Sequence, residues 1–120
     1  MPENRKILYV QTVDSPEKQY SPLVLAQTAK AMDLEPVLYY LGTGLKILTP
    51  GYADKIRMGS FPSVGEILRQ TIEMGIPIYV CEASRQMLGW GSVDLIEGVE
   101  IVGAGTLNDL ALDSGATMWF

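Results

Sequence analysis

The stretch "PIYVCEASRQMLG", residues 77–89, contains Cys81, the single cysteine of a chain that has no histidine. A thiolate is both nucleophile and soft ligand, so Cys81 is the residue whose type most directly offers chemistry. It ends an apolar run and precedes a helical pattern. Backbone N–H groups at a helix start favour a thiolate and lower a thiol pKa. Arg85, four residues on, is a fixed positive charge able to fold back toward the sulfur. Glu82 works against it, since a neighbouring carboxylate raises a thiol pKa. Ser84 lies in the same short segment and joins them as a supporting residue. Against this stands the ordinary role of a free cysteine, a small hydrophobe closing a core strand.

The missing histidine excludes Ser-His-Asp and Cys-His catalysis and removes the commonest zinc ligand. One cysteine without histidine builds no zinc or iron–sulfur site within a chain, so neither metal nor cofactor is expected. Asp14 and Ser15 follow the first apolar run. They are placed either to orient a ligand or, for Asp14, to form an Asx-turn before Pro16. Gly42-Thr43-Gly44 offers backbone N–H groups to an anion, or forms a plain turn. No GK[ST] or full GxGxxG follows it. Gly103-Ala104-Gly105 reads as close strand-to-helix packing, with Thr106 or Asn108 as a cap. Met58, Phe61, Met87 and Trp90 suggest an apolar surface near the Cys81 edge.

The elements that must position these residues alternate. Residues 7–13, 37–41, 76–81, 99–103 and 117–120 are short, near-continuous apolar runs, the signature of strands covered on both faces. Helical spacing follows each of the first four, beginning at Ser21-Pro22, at the Ser63–Glu66 capping box, at Ala83 and near Leu107. Residues 45–60 give no clear pattern and are open to being a lid or an oligomer arm. The β-α alternation predicts a single domain over residues 1–120. Its expected form is a flavodoxin-like three-layer sandwich, with a five-stranded, mostly parallel sheet and helices on both faces. The expected strand order is 2-1-3-4-5, which makes strands one and three neighbours. It places Cys81, Asp14 and Ser15 together at the carboxyl-end switch point where such sheets bind ligands.

The blocks "YVCEASRQMLGW" and "LIEGVEIVGAGTLNDLALDSGATMWF" resemble the DsrE/DsrF-like family of small sulfur-relay proteins, which includes the TusD-type subunits. The likeness covers nearly the whole chain. It implies a flavodoxin-like α/β domain that assembles into trimers or hexamers beside partner subunits. It also implies that Cys81, at the matching position, carries sulfur as a persulfide, taking it from a donor protein and passing it to an acceptor. Such a carrier needs no resolving cysteine, because transfer goes to a thiolate on a partner. Two other classes remain open from the residues. One is a binding module in which Cys81 is packing. The other is a peroxidase-like thiol protein, although the chain lacks a resolving cysteine.

Composition narrows the setting. Of 120 residues, 48% are hydrophobic and 19% charged, and the net charge is −5. The acidic balance argues against direct nucleic-acid binding, which needs a positive face. No apolar run approaches a membrane span and the N-terminus lacks a secretory pattern, so a cytoplasmic protein is expected.

Overall fold

The computed structural model describes residues 4–120. Apolar residues in the first run form β1 (Lys6–Gln11), followed by α1 (Pro16–Ala31) and β2 (Glu35–Tyr40). Two short 3₁₀ turns, Gly42–Leu48 and Ala53–Lys55, lead to α2 (Val64–Glu73). Then come β3 (Ile78–Cys81), α3 (Glu82–Met87), β4 (Glu100–Val102), α4 (Ala104–Asp113) and β5 (Ala116–Trp119). Every strand pair is parallel, and helices lie on both faces of the sheet, as the β-α alternation predicts.

The order is β4-β3-β2-β1-β5, and this corrects the expected 2-1-3-4-5. β2 stands between β1 and β3, so the ends of β1 and β3 do not form a shared switch point. The chain steps one way through β1 to β4. Then α4 carries it back across the sheet to pair β5 with β1. The alternation requires right-handed crossovers but does not fix on which side each new strand is laid.

One face of the sheet holds the larger core. Tyr9, Leu38, Ile78 and Val80 meet Leu23 and Ala26 of α1 and Val64, Ile67 and Leu68 of α2. Full burial of each large aliphatic side chain contributes about 1.5–3 kcal/mol. Of the unread residues 45–60, Leu45, Ile47 and Leu48 are fully buried in this core and Ala53 and Ile56 join it, while residues 57–60 are exposed. On the other face Leu8, Val10, Tyr39 and Cys81 form a smaller cluster, against which Leu107 and Leu110 of α4 pack. No residue of α4 is fully buried. Its apolar contacts come from half-buried side chains, and Lys6 and Asn4 tie down its last residue, Asp113.

Local signals explain several boundaries. α1 starts at Pro16 behind Ser15, one turn and a half before the predicted Ser21-Pro22 start. Both Ser-Pro pairs suit a first turn, and the helix uses the earlier one and absorbs Pro22 in its interior. Half of the capping box forms, with Glu66 N–H donating to Ser63 Oγ at 3.2 Å, while the Glu66 carboxylate turns to Arg57. Gly103 and Gly105 are not packing glycines, since a Cβ on either meets nothing within 4 Å. No side chain caps α4 either.

Gly65, in the first turn of α2, is a glycine the packing demands. A Cβ there would lie 2.0 Å from Asp54 Oδ1 and 2.9 Å from the Asp54 backbone nitrogen. The carboxylate is held by Arg69 at 2.8 Å. Gly65→Ala is expected to lower unfolding free energy by about 1–3 kcal/mol, although alanine is the better helix former by about 1 kcal/mol. Urea unfolding checks the sign.

Candidate thiol site

The side-chain period of a strand places Cys81, Tyr79 and, on the neighbouring strand, Tyr39 on one sheet face. Tyr39 is in register with Tyr79, and Cys81 with Val102 of β4. Cys81 therefore sits at the carboxyl end of β3 but faces α4, and it is 6% exposed. That is less accessible than the sequence suggests for a reactive thiol.

Cys81 is also the N-cap of α3, in an extended conformation. The thiol makes no capping hydrogen bond itself, yet the groups beside it favour its ionised form. Burial pushes the thiol pKa up. The backbone N–H of Ser84, the hydroxyls of Ser84 and Tyr39, and the N–H of Ala83 push it down. Together they outweigh burial and leave the thiol below its ordinary value. Arg85 is absent from these causes.

Ser84 is almost fully buried, at 1% exposure. Its oxygen accepts the Gly42 N–H at 2.9 Å, so its own proton is free for the sulfur. Gly42 holds φ +59°, and its Cα lies so close to the Thr12 carbonyl that a Cβ would stand 2.8 Å from that oxygen. The turn after β2 thus fixes Ser84, and Ser84 addresses the thiol. This is the use the structure makes of Gly42, and no anion cradle is needed to explain it.

The other predicted residues are brought elsewhere. Arg85 donates to Glu82 at 3.0 Å and to the carbonyls of Trp90, Gly91 and Val93. It anchors the loop after α3 and does not approach the sulfur. Glu82 accepts from Arg85 and Gln86. Asp14 pairs with Lys46 Nζ at 3.1 Å. Ser15 is the N-cap of α1 without a side-chain bond. Both follow β1, two strands away from β3. Gly44 packs on Gln11, where a Cβ would meet the Gln11 carbonyl oxygen at 2.8 Å. Met58 and Phe61 line a groove with Tyr20, Val24 and Leu25. Trp90 packs on the larger core, so these aromatic and methionine side chains do not gather around Cys81.

The sequence offers Tyr39 as a pocket-lining or core side chain and does not join it to the thiol. The Tyr39 hydroxyl donates to the Gly103 carbonyl at 3.1 Å, and Tyr39 shares the smaller apolar cluster with Cys81. Burial, and the sulfur beside it, push its own pKa up, so it stays protonated. The signal was its two-residue offset from Leu41 and Val37, but only the true β2–β3 pairing turns that into proximity. Among the described residues no group of three or more His, Cys, Asp or Glu is placed to hold a metal ion. No helix among them is long and apolar enough to cross a membrane.

An all-parallel five-stranded α/β domain with one cysteine at the junction of a strand and a short helix defines the class. Residues 5–120 match the DsrE/DsrF-like family, and the chain belongs to it; that family is associated with sulfur relay. The uncharacterized protein MJ0760 of Methanocaldococcus jannaschii is 34% identical over 104 residues, which cover 86% of this chain and 38% of that protein. The chain thus spans less than two fifths of this curated relative's length. The fold matches the ychN protein of E. coli with a TM-score of 0.74 at 15% identity, covering 98% of this chain and 100% of that one. It also matches BT1422 of Bacteroides thetaiotaomicron, a conserved protein of unknown function. There the TM-score is 0.72 at 15% identity, with 97% and 95% of the two chains covered.

Proposed function

We propose that this protein is a cytoplasmic sulfur carrier, a sulfurtransferase subunit that holds sulfane sulfur as a persulfide on Cys81. The observation that carries the reading is the place of Cys81, at the carboxyl end of β3 and the start of α3 and clustered with Tyr39, where the Ser84 and Ala83 N–H groups and the Ser84 and Tyr39 hydroxyls favour its ionised form. In loading, the Cys81 thiolate attacks the outer sulfur of a donor persulfide. A new S–S bond forms, the donor's S–S bond breaks, and the electron pair leaves on the donor thiolate. In unloading, an acceptor thiolate attacks the outer sulfur and Cys81 leaves as thiolate. The same four donors stabilise the nucleophile in the first step and the leaving group in the second. The exchange needs no metal, cofactor or histidine. Donor and acceptor are protein persulfides and thiols. A Cys81→Ser protein is expected to neither accept nor deliver ³⁵S-labelled sulfane sulfur. Transfer at the wild-type rate would remove the proposal.

The carrier is proposed to act as a homo-oligomer, a trimer or hexamer. Support comes from a stripe of exposed apolar side chains. Val24, Leu25, Met58 and Phe61 line one groove, and Leu25 continues into a second with Met32 and Met118 on the edge strand β5. Contiguous apolar surface of this kind marks association sites. Leu25→Lys is expected to reduce the native mass toward that of one chain while leaving the circular dichroism unchanged. An unaltered oligomer would place the contact elsewhere.

A second reading has one observation in its favour. At 6% exposure within an apolar cluster, Cys81 also suits packing in a non-covalent binding module. Alkylation only after unfolding would select it.

A further inference from the structure

Three features meet at Tyr39. Its ring is fully buried in the cluster that α4 covers. Its hydroxyl donates to the carbonyl of Gly103, the N-cap of α4, at 3.1 Å. Cys81 lies in the same cluster, and its sulfur helps to raise the pKa of the phenol. A phenol has one proton to give. While Cys81 is a neutral thiol, a weak acceptor, that proton goes to Gly103, as observed. A thiolate is the stronger acceptor, because hydrogen bonds to charged groups are roughly twice as strong as neutral ones.

We propose that the Tyr39 hydroxyl is a latch on α4: it ties Gly103 down while Cys81 is protonated and releases it when Cys81 ionises. Lys6 and Asn4 hold the far end of α4 at Asp113, and the apolar seat between is slight. None of its ten residues is fully buried, and Leu107 and Leu110 alone join the apolar cluster beneath. Releasing one bond at its N-terminus therefore shifts the balance between a covered and an uncovered thiol. The sulfur is sheltered as an inert thiol and exposed to a partner in its nucleophilic form. Tyr39 is a positioning residue here, acting through α4. The inference rests on Cys81 being the working group of the site.

The charged and titratable groups on the surrounding elements do not offer a competing switch. On the same sheet face Tyr79 lies in register with Tyr39. Glu82 and Arg85 of α3 pair with each other. Lys46, in the turn packed on α3, pairs with Asp14. Glu100 of β4 and Asp109 of α4 are exposed, and Asp113 pairs with Lys6. Tyr39 alone among them shares the apolar cluster with Cys81 and shifts its ionisation.

Amide hydrogen exchange across residues 104–110, corrected for intrinsic pH dependence, tests the latch in the intact chain. In the wild type, protection of these amides is expected to fall about fivefold as pH rises through the Cys81 pKa, the effect of losing one neutral hydrogen bond. Cys81→Ser should keep high protection throughout, and Tyr39→Phe should show low protection throughout. Flat wild-type protection would overturn the latch. So would a fall of equal size in Cys81→Ser or in Tyr39→Phe. Sulfur transfer plays no part in this readout, so failure of the carrier reading and failure of the latch are separately visible.

Discussion

Ser84→Ala is expected to slow Cys81 alkylation at pH 7 by about 10- to 100-fold. A hydrogen bond to a charged group is worth about 1.5–3 kcal/mol, and each pKa unit corresponds to about 1.4 kcal/mol. Losing the Ser84 hydroxyl from the sulfur should therefore raise the thiol pKa by about one to two units. The variant's rate should approach the wild-type rate only well above neutral pH. The same substitution strands the Gly42 N–H, which donates to Ser84 Oγ, at about 1–3 kcal/mol for an unpaired buried donor. The two losses separate by pH. A depressed thiol pKa in the folded state adds stability that is fully present above the unfolded value of about 8.5. That stability is lost as pH falls through the folded value. The deficit of Ser84→Ala should thus be largest in mildly alkaline buffer and shrink to the Gly42 part below the wild-type folded pKa. Superimposable rate–pH profiles would show that Ser84 does not tune the sulfur.

Gly42→Ala is expected to destabilise the fold by about 2–4 kcal/mol, combining a left-handed backbone with overpacking. The backbone holds φ +59°, and the new Cβ would stand 2.8 Å from the Thr12 carbonyl oxygen. That carbonyl cannot easily give way. Thr12 is tied by its N–H and its hydroxyl to the Phe120 carbonyl, each at 2.7 Å. Gly51→Ala is the comparison, since φ is +83° there but a Cβ meets nothing. It should cost only the conformational part, about 1–2 kcal/mol. Alkylation of Cys81 should slow in Gly42→Ala and stay unchanged in Gly51→Ala, because only Gly42 positions Ser84. Equal losses of stability in urea unfolding would show that the Thr12 contact carries no weight.

The strands and most helices were legible because their signals are local. Apolar runs covered on both sides mark the parallel strands, and Ser63 and Gly75 bracket α2 as caps do. Cys81 at the end of β3 was legible for the same reason. Strand order was not, because it depends on which side each crossover lays the next strand. That one error explains the residues misjudged around the thiol. With β1 placed beside β3, Asp14 and Ser15 appear as its neighbours and Tyr39 lies out of reach. With β2 there, Tyr39 and the Gly42 turn become its surroundings. Arg85 was judged by charge and spacing alone. The carbonyls of residues 90, 91 and 93 and the Glu82 carboxylate, its actual partners, are set by how the following loop folds back.

Intact-mass spectrometry after incubation with a sulfane-sulfur donor, with and without reductant, tests the sulfur-carrier account most directly. The wild type is expected to gain about 32 Da, the mass of one sulfur, and to lose it on reduction, while Cys81→Ala gains nothing. A wild-type chain that gains no mass, with Cys81 shown by alkylation to be accessible when folded, would contradict the account and leave the thiol as part of a non-covalent site.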